Sequence, residues 1–373
     1  LGYKSNYSFI GGGQYNYISG SGFSNLVGGY TNRVWESDSS SLVGGENNIL
    51  SGGSHNFLGG GISNKLTGGN TVVPERNVLV GGNNNTLSNS EDSVLVGGNQ
   101  SIIDSSNSAV IVGGGRQIVQ ADSHNSGILV GGTNTIWDSS INSGIVAGKN
   151  LGISGTSKHS MIGAGQYNYL STTVNSGVFV GFTNRILNST NSSITSGQFN
   201  LINPSNNAFL GGGDTNAIQN SNIATLVGGR GNRITTNSTG SFVGGGKWNS
   251  ISGQSEFAVV VGGRNNEISG GTGSTIVGGM SNRIWTPNEA ASDRNRFAFI
   301  GAGFSNIVVD GSDNAFIGGG QYNRISGATT SIIVGGNANG ITASTNSFIG
   351  GGGQNVIYAR ETIDNYNFIG VGI

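Results

Sequence analysis

The chain has no cysteine, 3 prolines, 3 histidines and 9% charged residues in 373. Without cysteine there are no disulfide staples and no thiolate metal ligands. A net charge of −1 leaves neither a basic footprint for nucleic acid nor an acidic tail. No apolar run reaches the roughly 18 residues that a membrane-spanning helix needs. Scarce proline and glycines that come in pairs exclude collagen. What is abundant is glycine, at 70 residues, set among 34% hydrophobic residues that recur at fixed places, so a continuous core can form and plain disorder is a poor description.

The chain is one phrase rewritten. Ala315 to Gly327 reads AFIGGGQYNRISG, and Ser8 to Gly20 (SFIGGGQYNYISG) and Met161 to Ser171 (MIGAGQYNYLS) nearly repeat it. The consensus is two apolar residues, two or three glycines, one or two free positions, Asn, one free position, then Ile, Leu or Val. Counting from Gly11 to Gly370 gives about 22 copies at a mean period of about 17 residues, the mark of a stacked repeat rather than a globular domain.

Each copy carries a short β-branched run such as Ala109-Val110-Ile111-Val112, bounded by Gly, Asn and Ser. Paired glycines would each cost a helix roughly 1 kcal/mol. The expected fold is all-β: a rod-like parallel β-solenoid of about 22 coils stacked about 4.8 Å apart, on the order of 100 Å long. The whole of 1–373 reads as one continuous repeat domain. Its expected irregularities are a coil near 147–160 that bends or frays, and enlarged corners at 68–77, 285–297 and 358–367, the second carrying Glu289, Asp293, Arg294 and Arg296. Such insertions read first as tolerated surface variation. The last copy stops before its Asn and the chain lacks a starting Met, so a piece of a longer polypeptide, or one with processed ends, is expected.

Two columns follow from the register. The first is an asparagine ladder: Asn16, Asn32, Asn48, Asn64, Asn85, Asn134, Asn168, Asn184, Asn200, Asn216, Asn232, Asn249, Asn266, Asn282, Asn306, Asn323, Asn339 and Asn355. Stacked amides can bond the next coil's amide or cap turn backbone groups. Ser101 and Gln117 stand in for it at two turns and are read as local defects. The second column is an apolar stripe. The two residues before the glycines are both apolar, and strand alternation sends one inward and one outward. Phe9, Leu42, Leu79, Leu129, Phe179, Phe242, Phe299, Phe316 and Phe348 are the candidate outward members, forming a chain–chain seam. The competing reading turns both members inward.

Candidate ligand contacts are the aromatics just before the ladder Asn, Tyr15, Tyr167, Trp248 and Tyr322, on whose rings sugar faces could stack; packing at a seam or beneath a loop explains them as well. Arg33, Arg185, Arg233, Arg283 and Arg324 follow the Asn directly and could meet anionic glycans, or stand as solvated outer positions. No catalytic constellation is visible. The 18 carboxylates are mostly isolated, and His55, His124 and His159 fall in different coils at different phases. No cofactor or metal is expected. The glycine pairs lack the following helix that a phosphate loop requires, and the acidic positions of calcium-binding rolls are missing.

The Ser-x-x-Ile-Gly-x-Gly pattern resembles the head repeats of trimeric autotransporter adhesins (the YadA-like head) and related β-rolls of phage and viral fibres. The resemblance covers essentially the whole chain as repeats, without stalk or membrane anchor. The family's coil is shorter and its glycine usually single, whereas the Asn here is much more regular. The resemblance implies a left-handed parallel β-roll, three chains side by side, and adhesion. The function expected is a structural and adhesive fibre segment of a cell-surface or virion appendage: extracellular, non-enzymatic, a homo-oligomer and by resemblance a trimer, in contact with host-surface glycans. No nucleic acid and no membrane insertion are expected. The alternative is an end-to-end filament subunit without a receptor. A polysaccharide-active enzyme would require paired carboxylates on adjacent coils.

Overall fold

The computed structural model describes residues 1–68, 75–287, 295–359 and 366–371. These contain no helix, only strands of two or three residues. They fall into two units, Leu1–Thr183 and Asn184–Ile373, each a parallel β-solenoid; together they hold about 21 turns among the described residues.

One turn shows how the sequence makes the coil. Strand β1 (Phe9–Ile10) pairs in parallel with β3 (Asn25–Leu26), and β2 (Tyr17–Ser19) with β4 (Arg33–Trp35). Between the two strands, Gln14 bridges to Tyr30 and Tyr30 to Glu46, giving the coil a third parallel side. Backbone N–H groups donate up the stack rather than within the turn, as Phe9 does to Ser24 at 3.0 Å and Tyr17 to Asn32 at 2.9 Å. Hydrogen bonding therefore fixes identical positions above one another, with a register of 16 residues at Asn32–Asn48 and 17 at Asn134–Leu151.

Corners consume left-handed backbone. In the first turn Gly13, Tyr15, Gly20 and Phe23 all have positive φ, between 53° and 86°. A side chain there costs roughly 1–2 kcal/mol, least for Asn. That explains why Asn, Ser, Thr and Gly dominate the same positions in later turns. Gly45 shows where glycine is obligatory: a Cβ there would fall inside contact distance of the Gly61 carbonyl and the Asn48 amide.

The interior holds two kinds of column. Aliphatic stacks fill the strand positions, Leu26, Leu42, Leu58 and Leu79 along one sheet and Ile18, Val34, Leu50 and Leu66 along the other, all fully buried. Each contributes roughly 1.5–3 kcal/mol by leaving water. Polar stacks fill the corners. Besides asparagine there are two serine columns, which the repeat consensus did not reveal. Ser126 donates to the Ser140 carbonyl at 2.7 Å while its Oγ accepts the Ser143 N–H at 3.1 Å. Ser140 N–H in turn meets Ser123 Oγ at 3.2 Å. Buried hydroxyls thus satisfy the corner backbone that no strand can reach.

Two expectations are corrected. Leu42 and Leu79 do not belong to the outer stripe; both are wholly buried, because they are the middle residues of their strand runs and their followers, Val43 and Val80, face out. Residues 147–160 do not fray. Lys149 bridges to Gly132 and Gln166, Gly152–Ser154 is a strand, and Leu151 takes the ladder place with its N–H on Asn134 Oδ1 at 3.0 Å. Of the enlarged corners, residues 69–74, 288–294 and 360–365, including Glu289, Asp293 and Arg294, lie outside the described residues. The described flanks carry the ion pairs Arg76–Asp92 (2.7 Å) and Arg296–Asp313 (2.6 Å). Asp313 holds the exposed Arg296 guanidinium above its usual pKa, first by their hydrogen bond and then by charge attraction.

Candidate functional site

The asparagines face inward as a structural spine. All the predicted members are buried except the half-buried Asn16 and Asn355. Asn48 is representative. Its amide donates to the Gly44 carbonyl of its own turn (3.0 Å) and the Gly61 carbonyl of the next (2.8 Å). Its Oδ1 accepts the Asn64 backbone N–H at 2.9 Å. The column therefore works mainly amide to backbone; amide-to-amide bonds are the minority, such as Asn48 Nδ2 to Asn32 Oδ1 at 3.2 Å. Gln117 fits less well. Its Nε2 reaches the Gly131 carbonyl at 2.9 Å, but its buried Oε1 has no hydrogen-bond partner.

The outer face of the β1-type strands is the first candidate surface. Many turns carry their bulky outward residue on one of two tracks flanking the central position, while others, such as Val78-Leu79-Val80, Val94-Leu95-Val96 and Val110-Ile111-Val112, carry one on both. Where the residue before is Phe, the residue after is glycine: Phe9-Ile10-Gly11, Phe57-Leu58-Gly59, Phe209-Leu210-Gly211, Phe316-Ile317-Gly318. The ring lies over that glycine; a Cβ on Gly318 would come 3.3 Å from the Phe316 ring. Where the residue before is small, the residue after is large: Asn25-Leu26-Val27, Gly127-Ile128-Leu129, Gly177-Val178-Phe179. Phe9, Leu129, Phe179 and Phe316 are exposed, as are Val27, Val43 and Val96, whereas Phe242, Phe299 and Phe348 are half-buried. Neighbouring rings stack, Phe299 on Phe316 at 5.1 Å and Phe348 on Phe368 at 5.1 Å. Within each unit the result is an apolar band broken by few polar rungs, one being Ser193-Ile194-Thr195.

The corner before the ladder Asn is the second surface. Tyr15, Tyr167, Trp248 and Tyr322 are all exposed there, Tyr15 at 76%, in left-handed backbone that throws their side chains outward. Three are braced edge-on by an aromatic of an adjacent turn: Tyr15 by Tyr30 (5.6 Å), Tyr167 by Phe182 (5.6 Å) and Tyr322 by Phe304 (5.3 Å). In the first unit Tyr15, Tyr17, Arg33 and Trp35 line an open cavity of about 490 Å³. In the second, Arg230, Arg233, Trp248 and Ser250 line one of about 420 Å³. Trp248 differs from the tyrosines in being braced by cations: Lys247 Nζ sits 4.0 Å and the Arg264 guanidinium 5.2 Å from its ring. The sequence signal for this cluster was the same-phase run Arg230, Lys247, Arg264, legible only once turns are aligned.

Among the described residues no group of three His, Cys, Asp or Glu side chains could hold a metal ion. No helix among them is long and apolar enough to cross a membrane. No family model matches the chain, and no curated protein is significantly similar to it.

Proposed function

We propose that the chain is a structural and adhesive fibre segment whose copies associate through the apolar band of the β1-type strands. The observation that carries this reading is the outward residue of that face. Through most turns of each unit it is Phe, Val, Leu or Met, one turn after another at the same phase, whereas the other exposed large side chains, such as Phe23, Trp35 and Ile223, stand at corners or on the other strands. A soluble monomer ordinarily exposes contiguous apolar patches of no more than about 300–600 Å². Burying such a band gains roughly 25 cal/mol for each Å² removed from water. The likeness of the repeats to adhesin heads supports a place on a cell or virion surface, and three chains is the stoichiometry it favours.

The test is the native mass of the purified chain by light scattering across a range of concentrations. A multiple of the 37.9 kDa protomer is expected. Replacing Val96 and Val112 with Lys on the outward track should return the protomer with its β-sheet circular dichroism intact. A parent chain that stays monomeric at high concentration overturns the reading.

A further inference from the structure

We propose that the Trp248 corner binds an acidic polysaccharide. Arg230, Lys247 and Arg264 occupy one phase of three successive turns and are joined by parallel bridges, Arg230 to Lys247 and Lys247 to Arg264. Their backbones are therefore one strand spacing apart, about 4.8 Å. Like charges placed directly opposite one another on neighbouring strands destabilise a sheet, so folding alone gives no reason for the run. Carboxylates neutralise little of it. Asp214 pairs with Arg230 at 3.4 Å and Glu267 with Arg283 at 2.7 Å, while Arg233, Lys247 and Arg264 make no ion pair among the described residues.

What holds the cations is an aromatic plate. The Trp248 indole packs against Gly231 of the preceding turn, where a Cβ would collide with the Cδ1–Nε1 edge of the ring. Its π-face carries Lys247 and Arg264, an attraction that fixes both without neutralising them. Beside them opens the cavity lined by Arg230, Arg233 and the hydroxyls of Thr215 and Ser250. Its volume of about 420 Å³ falls within the range of small-ligand sites. A row of cations at strand spacing, with hydroxyl-bearing neighbours, matches a linear polymer that presents an anion on successive residues and hydroxyls between them. A single-stranded nucleic acid fits less well, since it asks for several aromatic platforms in sequence, and this site offers one indole already occupied by cations. The proposal rests on the adhesive half of the function above and is independent of self-association.

The test uses the whole chain with polygalacturonate as probe, neutral dextran as control and oligothymidylate as competitor, read by calorimetry and tryptophan emission. Polygalacturonate should bind, dextran should not, and affinity should fall as salt rises through the physiological range. Lys247→Gln with Arg264→Gln should lower affinity about tenfold or more, as loss of charge-assisted hydrogen bonds predicts, whereas Lys65→Gln, at an exposed strand position in the other unit, should leave it unchanged. Arg264→Gln alone, at an exposed guanidinium, gives the same reading with a smaller loss if the double variant loses its β-sheet signal. Absent polygalacturonate binding, equal binding by the substituted chain, or tighter binding of oligothymidylate would each overturn the assignment. Light scattering on the same samples reports self-association separately, so failure here leaves the apolar-band reading standing.

Discussion

At the scale of single residues, buried polar side chains decide the corners. Asn48 places two donors and one acceptor on backbone groups that would otherwise be buried without partners. Asn48→Ala should therefore destabilise its turn by about 3 kcal/mol, several times the net value of an ordinary hydrogen bond, because each orphaned group costs about 1–3 kcal/mol. Hydrogen exchange at the Asn64 amide, whose N–H donates to Asn48 Oδ1, would show the opening locally, as expected for a stack whose turns contact mainly their neighbours. The reverse holds at Gln117, where the shorter Asn would bring its oxygen back to the ladder. Gln117→Asn should raise the denaturation midpoint, by about 1 kcal/mol in stability. The ladder was legible in the sequence because amide, spacing and glycine recur together. The direction of its bonds was not, since an amide suits a neighbouring amide and a neighbouring carbonyl equally. The serine columns were missed for a related reason. Their signal is the pair Ser-x-x-Ser, as at Ser37 and Ser40, Ser140 and Ser143, or Ser189 and Ser192, and it drowns in a chain where exposed serine is common.

At the scale of the strand, one residue of phase separates core from surface. Leu79 and Val80 are neighbours of similar chemistry, yet Leu79 is wholly buried and Val80 exposed. Leu79→Ala should cost about 2–5 kcal/mol in stability, measured by urea unfolding, while Val80→Ala should leave the midpoint within about 0.5 kcal/mol and weaken association instead. Apolar doublets alone could not say which member faces inward, because the residue before them is sometimes a large side chain and sometimes Ser or Gly. Position relative to the ladder settles it. The buried residue of the doublet keeps its register from turn to turn, as Leu42 does against Leu26 and Leu58. The stretch at 147–160 teaches the same lesson from the other side. Its consensus letters fail, but Leu151 is apolar where Asn is expected and still accommodates the turn, because its backbone N–H alone is enough to meet Asn134.

At the scale of the whole chain, each unit repeats a pairing between residues 16 or 17 apart, lengthened to 21 at Asn64–Asn85 and 24 at Asn282–Asn306, so each such turn closes a short loop and rests on the one before. Residues Leu1–Thr183 produced alone should therefore keep a β-sheet circular dichroism spectrum and cooperative unfolding; a disordered fragment would contradict the nearest-neighbour account of the fold. Two faces of the same turn also differ in chemistry. The outer positions of the β1-type strands are mostly Phe, Val and Leu, whereas the equivalent place on the β2-type strands mixes Ser19, Ser51, Thr67, Ser88 and Ser252 with the exposed Trp35, Trp285 and Tyr358. That difference was visible as composition only after turns were aligned.

The exchange between a ring set over glycine and a valine beside a small residue has a consequence for how copies meet. In the first unit the bulky side chain stands before the central position at Phe9, after it at Val27 and Val43, before it at Phe57, on both sides of it in the three turns of Val78–Val80, Val94–Val96 and Val110–Val112, after it at Leu129 and Val146, before it at Met161, and after it at Phe179. That order does not repeat. If copies meet on this band as proposed, two molecules slid past one another by a single rung would lose the match of knob to hollow, and the relief would act as a vernier, favouring one alignment over the many that a uniform greasy ribbon would tolerate.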